Sequence, residues 1–178
     1  MRKSIQLCLF LLLGAFTARI AAAQSTSAPA APLKYYKADF LVKEVDASGH
    51  IVNSRSYSTI LLTDNNGGVP KQVRSGDRIP IRVTTKDKGD IQYVDIGVSI
   101  DCRNVHELDQ KLALTVTAEI SSLPAGADLS SSLDPLIRQF KWNADVLIAP
   151  GVPTTIFSSD DVGSKTKVQV EMTATLIR

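Results

Sequence analysis

The sequence predicts an all-β domain of about eight or nine mostly antiparallel strands, forming a curled sheet or a sandwich. Runs rich in Val, Ile, Thr and Tyr recur between clusters of turn residues. Two of these runs alternate between apolar and polar residues, which is the period of a strand with one buried face. No stretch has the apolar spacing of an amphipathic helix. The chain is 44% hydrophobic and 21% charged over 178 residues, a composition typical of one globular domain with a real core.

Residues 1–23 have the pattern of a secretory signal peptide. Arg2 and Lys3 give a basic start, a run of about 14 mostly apolar residues follows, and Ala21 and Ala23 occupy positions −3 and −1 of a cleavage site. A membrane-spanning helix needs about 20 residues, so we expect cleavage rather than retention as an anchor. Cys8 lies early in the apolar run, and a lipoprotein cysteine would follow it. We therefore expect export to the periplasm or outer membrane without a lipid anchor.

Cleavage after Ala23 changes the charge and the cysteine content of the chain. It removes Arg2, Lys3 and Arg19 and no acidic residue, so the 20 basic residues fall to 17 against 18 acidic ones. The formal charge of +2 becomes about −1, which does not fit a strongly basic nucleic-acid binder. Cys102 remains as the single cysteine, so no internal disulfide is expected and stability must come from the core and the sheets.

The mature part divides into a linker and one β-domain. Residues 24–32 are rich in Pro, Ala and Ser and predict a flexible linker, and residues 33–178 form the domain. We expect turns at 64–68 and 75–77, a polar connection at 103–110 and a long loop at 124–134. The predicted strands cover residues 33–45, 51–63, 69–74, 78–85, 91–102, 111–123, 135–148, 153–158 and 165–177.

Two predicted strands, 111–123 and 165–177, show the clearest alternation. One set of residues should face the core and the other should face water. The first and last strands, 33–45 and 165–177, are the candidates for exposed sheet edges, where another chain could pair. The residues predicted to point inward are Leu112, Leu114, Val116, Ala118, Ile120, Val168, Val170, Met172, Ala174 and Leu176.

We predict no metal or cofactor site. His50 lies in a turn and His106 in a polar connection, and neither has a second ligand at suitable spacing on the same strand face. Asp160-Asp161 is an acidic pair without the alternating acidic positions of a dedicated calcium loop, so a solvated hairpin tip is favoured. Gly163-Ser164-Lys165-Thr166 is similar to the end of a phosphate loop, but Ser158 stands where its first glycine would be.

We predict no catalytic residues and no enzyme activity. The sequence has no Gly-x-Ser-x-Gly elbow, and only two histidines could act as a base. Cys102 follows Asp101, whose negative charge would raise the thiol pKa, so Cys102 is interpreted as a small hydrophobe at a strand end. Only a deep polar pocket that gathers Cys102, His106 and a carboxylate would favour an enzyme.

Three aromatic residues are possible partner-facing positions: Phe140, Trp142 and Phe157. They lie near predicted strand ends and are of the type enriched at interfaces. A place in the core is the favoured interpretation for each of them.

Three stretches, in this order, resemble the C-terminal β-domain of bacterial secretins, the outer-membrane channel family of secretion and type IV pilus machines. Ser75–Ile81 is similar to a glycine followed by an Ile-Pro-Ile strand. Ile91–Ile100 resembles an aromatic-x-x-Val-Gly-apolar strand, whose partner ends in the Glu-Ile-Ser-Ser type of sequence found in Ala118–Leu123. Pro135–Gln139 and Val146–Phe157 are similar to the Pro-x-Ile-x-x-Arg strand and the glycine turn after it. The collinear order carries the resemblance.

The resemblance implies secretin-like hairpins and a role in an outer-membrane assembly. The family's Gly-Gly-Leu is replaced by Ser158-Ser159-Asp160, and a short turn at 161–165 stands where secretins carry a long gate insertion. The family's ring-building modules precede this domain, whereas here we expect only the linker and one or two strands. These departures predict a divergent relative of secretins with a structural or accessory role.

Two functional hypotheses follow. The first is a non-enzymatic envelope protein that pairs through edge strands with protein partners or with itself, with possible contact to the outer membrane. The alternative is a periplasmic immunoglobulin-like β-sandwich acting as a binding or adhesion module. The first predicts long hairpins in one curled sheet, and the second predicts Greek-key crossovers between two sheets.

Overall fold

The computed structural model describes residues 32–63, 69–85, 88–123, 136–161, 163 and 165–177, with backbone only for residues 82–85 and 88–90. The expected signal peptide, most of the linker, the turn at 64–68 and the loop at 124–134 lie outside the described residues. No helix within the described ranges is long and apolar enough to cross a membrane. Eight strands make up the fold: β1 (Tyr35–Val45), β2 (Ile51–Leu62), β3 (Lys71–Thr85), β4 (Lys88–Leu108), β5 (Lys111–Ser122), β6 (Arg138–Ile148), β7 (Thr154–Asp160) and β8 (Lys167–Ile177).

The strands form two four-stranded antiparallel sheets, with orders β2-β1-β8-β7 and β3-β4-β5-β6. We call them sheet A and sheet B. One core contains residues from both, so the all-β prediction is confirmed and the arrangement is a sandwich rather than a single curled sheet. Every hydrogen-bonded pair except β1–β8 joins strands that are consecutive in sequence. These eight strands therefore contain no Greek-key crossover.

The predicted inward faces build the centre of the core. On β5 the alternate residues from Leu112 to Ala118 are buried, and Ile120 packs against the cluster as a partly buried side chain. On β8 the alternate residues Val168, Val170, Met172 and Ala174 are buried, whereas Leu176 is 50% exposed at the end of the strand. The neighbouring strand β1 adds Tyr36, Ala38, Phe40 and Val42 to the core.

The prediction that the first and last strands are edges is wrong. β1 and β8 pair with each other along their whole length, from Tyr35↔Ile177 to Val45↔Lys167, and lie at the centre of sheet A. Both strands carry a full apolar face, and pairing them places the two faces side by side over sheet B. The true edges are β2 and β7 in sheet A, and β3 and β6 in sheet B.

Two segments that were predicted to interrupt strands belong to strands in the structure. Residues 75–77 do not form a turn, because β3 runs through Gly76 without interruption. The polar connection at 103–110 is mostly the end of β4, which continues past a bulge between Arg103 and His106. Asn104 has a φ of 52° in this bulge, and Val105 enters the core. Asp109 and Gln110, with φ of 49° and 63°, make the tight turn to β5.

A polar clasp joins the two sheets at one end of the sandwich. The Tyr36 hydroxyl of β1 donates to Glu107 Oε1 of β4, and Lys34 Nζ lies 2.6 Å from Glu107 Oε2. The same contacts hold the pKa of Glu107 below its usual value, with the hydrogen bond from Lys34 as the largest cause. Burial of Tyr36, helped by Glu107, raises its pKa to about 12.

The clasp predicts a pH dependence of stability. Because the pKa of Glu107 is lowered in the folded state, its contribution is present above the unfolded value near 4.5 and is lost as the pH falls through the lower folded value. We expect Glu107→Gln to reduce the loss of unfolding free energy between pH 6 and pH 3, as measured by urea denaturation. The control Tyr36→Phe should lower the free energy of unfolding by about 1 kcal/mol at neutral pH and leave most of its pH dependence unchanged. The same pH dependence in Glu107→Gln and in the unchanged chain would contradict the clasp.

Candidate functional site: the β3–β4 ribbon and its junction

Sheet B continues beyond the sandwich as a two-stranded ribbon. β3 and β4 pair without a register shift from Lys71↔Cys102 to Thr85↔Lys88, whereas β5 pairs with β4 only from Val98 onward. Residues 77–85 and 88–96 therefore pair with each other beyond Val98↔Ile120, the last residue pair that joins β4 to β5 at this end, and we call this segment the ribbon. At about 3.3 Å per residue it extends for roughly 30 Å.

The ribbon leaves the sandwich at a close crossing of two glycines. Gly76 of β3 faces Gly97 of β4, and a Cβ added to Gly76 would lie 2.0 Å from the carbonyl oxygen of Ile96. Gly97 has a φ of +143°, and its Cβ would lie 2.1 Å from the carbonyl oxygen of Ser75. No other residue fits at either position without moving the backbone.

A buried serine completes this crossing from the neighbouring strand. Ser121 near the end of β5 is 7% exposed, and its Oγ accepts a hydrogen bond of 3.0 Å from Gly97 N–H. We call Gly76, Gly97 and Ser121 the junction. Each of the three comes from a different one of the sequence segments that resemble secretins, although the sequence placed Gly76 in a turn and showed no contact among them.

The junction fixes which way the backbone of the ribbon points. Gly97 N–H is directed toward β5, and N–H groups alternate sides along a strand, so those of Asp95 and Tyr93 point to the same side. Pro80 lies opposite Tyr93 and has no N–H group. This fits the alternation, because the nitrogen of Pro80 then points away from β4 and no hydrogen bond between β3 and β4 is lost. Within the described residues, no strand pairs with that side of residues 92–96. In the described part of the chain this segment is an unpaired sheet edge, and we call it the open edge.

Apolar side chains accompany the open edge. Tyr93 is 62% exposed and Ile91 is 52% exposed, and both share a face of the ribbon with Pro80. On the other face Ile79 is buried, and Val94 and Ile96 are half-buried. The ribbon thus offers main-chain donors and acceptors next to an aromatic ring and an aliphatic side chain, which suits strand pairing.

Most charged groups around the junction are already paired, and Asp77 is the exception among the described residues that line the cavity there. A cavity of about 390 Å³ lies beside it, lined in part by Arg74, Arg78 and Asp95. Arg78 Nε lies 2.8 Å from Asp95 Oδ1, and this contact lowers the pKa of Asp95. Arg74 bonds Asp101 at 2.5 Å. With their charges matched inside the protein, these residues hold the ribbon in place more readily than they bind a charged ligand.

The structure does not bring the candidate chemical residues together. Cys102 is buried in the core near the middle of β4, and burial, with Asp101 second, raises its pKa to about 12. A cavity of about 50 Å³ beside it is lined by Leu62, Val69, Lys71, Cys102, Arg103, Asn104 and Val105, which include neither a histidine nor a carboxylate. His106 Nδ1 lies 2.7 Å from the carbonyl oxygen of Asn104.

The candidate residues in the predicted turns, His50, Asp160 and Asp161, also make ordinary polar contacts. His50 is in the β1–β2 turn with its side chain 81% exposed, 3.6 Å from Asp46. Asp160 lies 3.6 Å from Lys167, and Asp161 lies 3.0 Å from Arg138. Among the described residues, no group of three His, Cys, Asp or Glu side chains could hold a metal ion.

The three predicted partner-facing aromatics meet where β6 and β7 lie side by side without pairing. The rings of Trp142 and Phe157 stack with centroids 4.1 Å apart and an angle of 12° between them. Phe140 meets Phe157 edge to face at 6.5 Å. All three are partly buried against the core. Trp142 Nε1 is buried and has no hydrogen-bond partner among the described residues. Contact of these rings with a partner stays a prediction.

No protein-family model and no curated protein matches the chain. Similar solved structures include the secretin InvG of the Salmonella SPI-1 type III secretion injectisome, with 10% identity and a TM-score of 0.46 over 82% of this chain and 64% of that chain. Aeromonas hydrophila ExeD has 12% identity and a TM-score of 0.45 over 82% and 47%. The type II secretion system secretin GspD of E. coli K12 has 11% identity and a TM-score of 0.44 over 82% and 48%.

The chain spans less than two thirds of the length of each of these proteins. InvG and GspD are named as secretins, the family that the sequence motifs resemble. The described domain is similar to these secretin structures at low sequence identity.

The junction predicts a strong and local sensitivity to added side chains. Gly76→Ala and Gly97→Ala should each lower the free energy of unfolding by about 2 kcal/mol or more, because a Cβ would overlap a backbone carbonyl. Gly49→Ala is the matched control: its φ is +87°, but nothing lies within 4 Å of the added Cβ. It should cost only about 1 kcal/mol from backbone strain. Equal losses in all three variants, measured by chemical denaturation, would show that the crossing is not tight.

Proposed function

We propose that this chain is a non-enzymatic, exported envelope protein whose secretin-like β-domain is a structural or accessory component of an outer-membrane secretion or pilus assembly. The open edge of β4 at residues 92–96 is the observation that carries the proposal. It lies directly beyond β5, so a strand from another chain could continue sheet B where β5 ends. The partner is a protein, and another copy of this chain is the simplest one.

Strand addition at this edge has a clear physical basis. An incoming strand would bond to the outward N–H and C=O groups of Tyr93 and Asp95 through main-chain hydrogen bonds. Tyr93 and Ile91 would add apolar contact on the same face of the ribbon. The edge of β3 is a poorer site, because Pro80 has no donor there.

Three further observations support this role. The motif residues Gly76, Gly97 and Ser121 build the point from which the ribbon projects. The outer faces of both sheets carry cross-strand polar contacts, such as Lys43–Glu171 at 2.8 Å and Asn143–Thr117 at 2.9 Å, which suit contact with water. The buried Cys102 and the separated histidines offer no set of side chains for nucleophilic or acid–base catalysis.

The immunoglobulin-like binding module remains the second candidate. Its two packed sheets agree with the observed sandwich. Its Greek-key connections do not, since every hydrogen-bonded pair except β1–β8 joins strands that are consecutive in sequence. It also predicts a compact monomer, whereas strand pairing at the open edge predicts assembly.

The first test separates the two candidates by location and size. Cells that express the full chain are fractionated, and the processed protein is sized without heating in mild detergent. We expect a large species in the outer-membrane fraction. A periplasmic species near 17 kDa at every concentration, from 155 residues at about 110 Da each, would instead favour the binding module.

The second test addresses the open edge itself. Tyr93→Pro removes the outward N–H without removing a donor to β3, and Tyr93→Ala keeps the N–H but removes the ring. We expect Tyr93→Pro to dissociate the assembly at concentrations where Tyr93→Ala only weakens it, by up to roughly fivefold for the ring contact. Circular dichroism controls for folding. Assembly that survives Tyr93→Pro in a folded chain would rule out pairing at this edge.

A further inference from the structure

Exposed apolar side chains are concentrated at one end of the sandwich. Of the fourteen large hydrophobic residues that are exposed among the described residues, nine lie at the end opposite the ribbon. We call this set the apolar end; it consists of Leu33, Tyr35, Ile60, Val69, Leu108, Leu147, Val152, Leu176 and Ile177.

Strand register places these residues together. Tyr35 at the start of β1 pairs with Leu62 at the end of β2 and with Ile177 at the end of β8. The clasp from Lys34 to Glu107 brings the last residues of β4 to the same end. Leu112↔Ile148 adds the start of β5 and the end of β6, and Gly151 N–H bonds the carbonyl oxygen of Ala174 at 2.7 Å. Both sheets and several turns therefore contribute.

The apolar residues are spread over both the middle and the edge strands. Leu33, Tyr35 and Leu108 lie next to the paired Lys34 and Glu107, whereas Ile60 and Leu147 lie on the edge strands β2 and β6. Protein–protein interfaces usually gather their apolar residues in one centre with a polar rim. Single apolar side chains spread around an ion pair are better suited to a planar, fluid surface that accepts each of them separately.

The charges at this end also fit such a surface. Lys71 at the start of β3 and Lys111 at the start of β5 form no ion pair within the described part of the chain. The acids Glu107 and Asp39 are bound to Lys34 and Lys37. Asp109 in the β4–β5 turn is an exposed acid with no ion pair among the described residues, and Lys71 and Lys111 outnumber it. Lysine ammonium groups and a tyrosine ring beside aliphatic side chains are the residue types that interact with the headgroup region of anionic bilayers.

We infer that the apolar end docks on an anionic lipid surface, with the sandwich standing on the membrane and the ribbon directed away from it. The inference deepens the proposed envelope location and rests on it. It does not require strand pairing at the open edge, because the ribbon lies at the other end of the molecule.

The test measures binding of the processed chain, purified from the cell envelope and checked by mass, to lipid vesicles by flotation. Vesicles of phosphatidylglycerol and phosphatidylcholine are compared with vesicles of phosphatidylcholine alone. The double variant Leu33→Ser/Val152→Ser removes two side chains of the apolar end that are 61% and 51% exposed. Ile51→Ser/Val52→Ser, at 57% and 55%, is the matched control at the opposite end.

We expect preferential binding to the anionic vesicles, and a loss of at least about tenfold in partitioning for Leu33→Ser/Val152→Ser but not for the control. Absence of binding, or equal loss in both variants, would overturn the inference. The oligomeric size of both variants is also measured in the absence of lipid. If it changes for Leu33→Ser/Val152→Ser but not for the control, the inference is overturned too, since the apolar end would then contact a second copy of the chain. Tyr93→Pro should leave vesicle binding unchanged, so failure of the assembly proposal can be told apart from failure of this one.

Discussion

The close crossing of Gly76 and Gly97 is the constraint on which the arrangement of sheet B depends. Only two residues without Cβ atoms allow the backbones of β3 and β4 to approach this closely. The crossing lets both strands continue beyond the sandwich, where β5 does not follow. The hydrogen bond from Gly97 N–H to Ser121 shows to which side each alternate N–H group of the preceding β4 residues in the ribbon points. A local steric requirement thereby determines which edge of the sheet stays open.

The sandwich is held by contacts at the seam between β6 and β7 and at its far end. At the seam between β6 and β7, the rings of Trp142 and Phe157 stack between two strands that are not hydrogen-bonded to each other. The seam between β2 and β3 is less closely packed, because Arg55 and Tyr57 line a cavity of about 310 Å³ next to the junction. The Glu107 clasp ties sheet A to sheet B at the far end. Cys102, the one cysteine among the described residues, is unpaired in the core. The described part of the domain is therefore stabilised by these contacts and not by a disulfide.

The two ends of the molecule have different chemistry. The ribbon presents main-chain hydrogen-bonding groups that another strand can use, which gives directional and saturable contacts. The apolar end presents separate side chains around a pair of matched charges, which gives contact without a fixed register. Pairing at the open edge would add a strand beside β4, whereas docking of the apolar end would use the strand ends at the opposite end of the molecule. The two interactions can therefore occur together in one copy of the chain.

The alternation of Leu112–Ala118 and Val168–Ala174 determined the all-β class and the centre of the core, because period 2 and burial are properties of each strand by itself. The motif glycines and serine were also visible in the sequence. Their contact was not, since it depends on the register of β3, β4 and β5. Sequence reasoning placed β1 and β8 at the edges because they come first and last, but pairing is decided by which apolar faces meet in space. Likewise Gly76 suggested a turn, and only the tertiary structure showed that it serves the close approach of two continuous strands. The open edge and the apolar end are properties of the assembled sheets, and for that reason no single segment could reveal them.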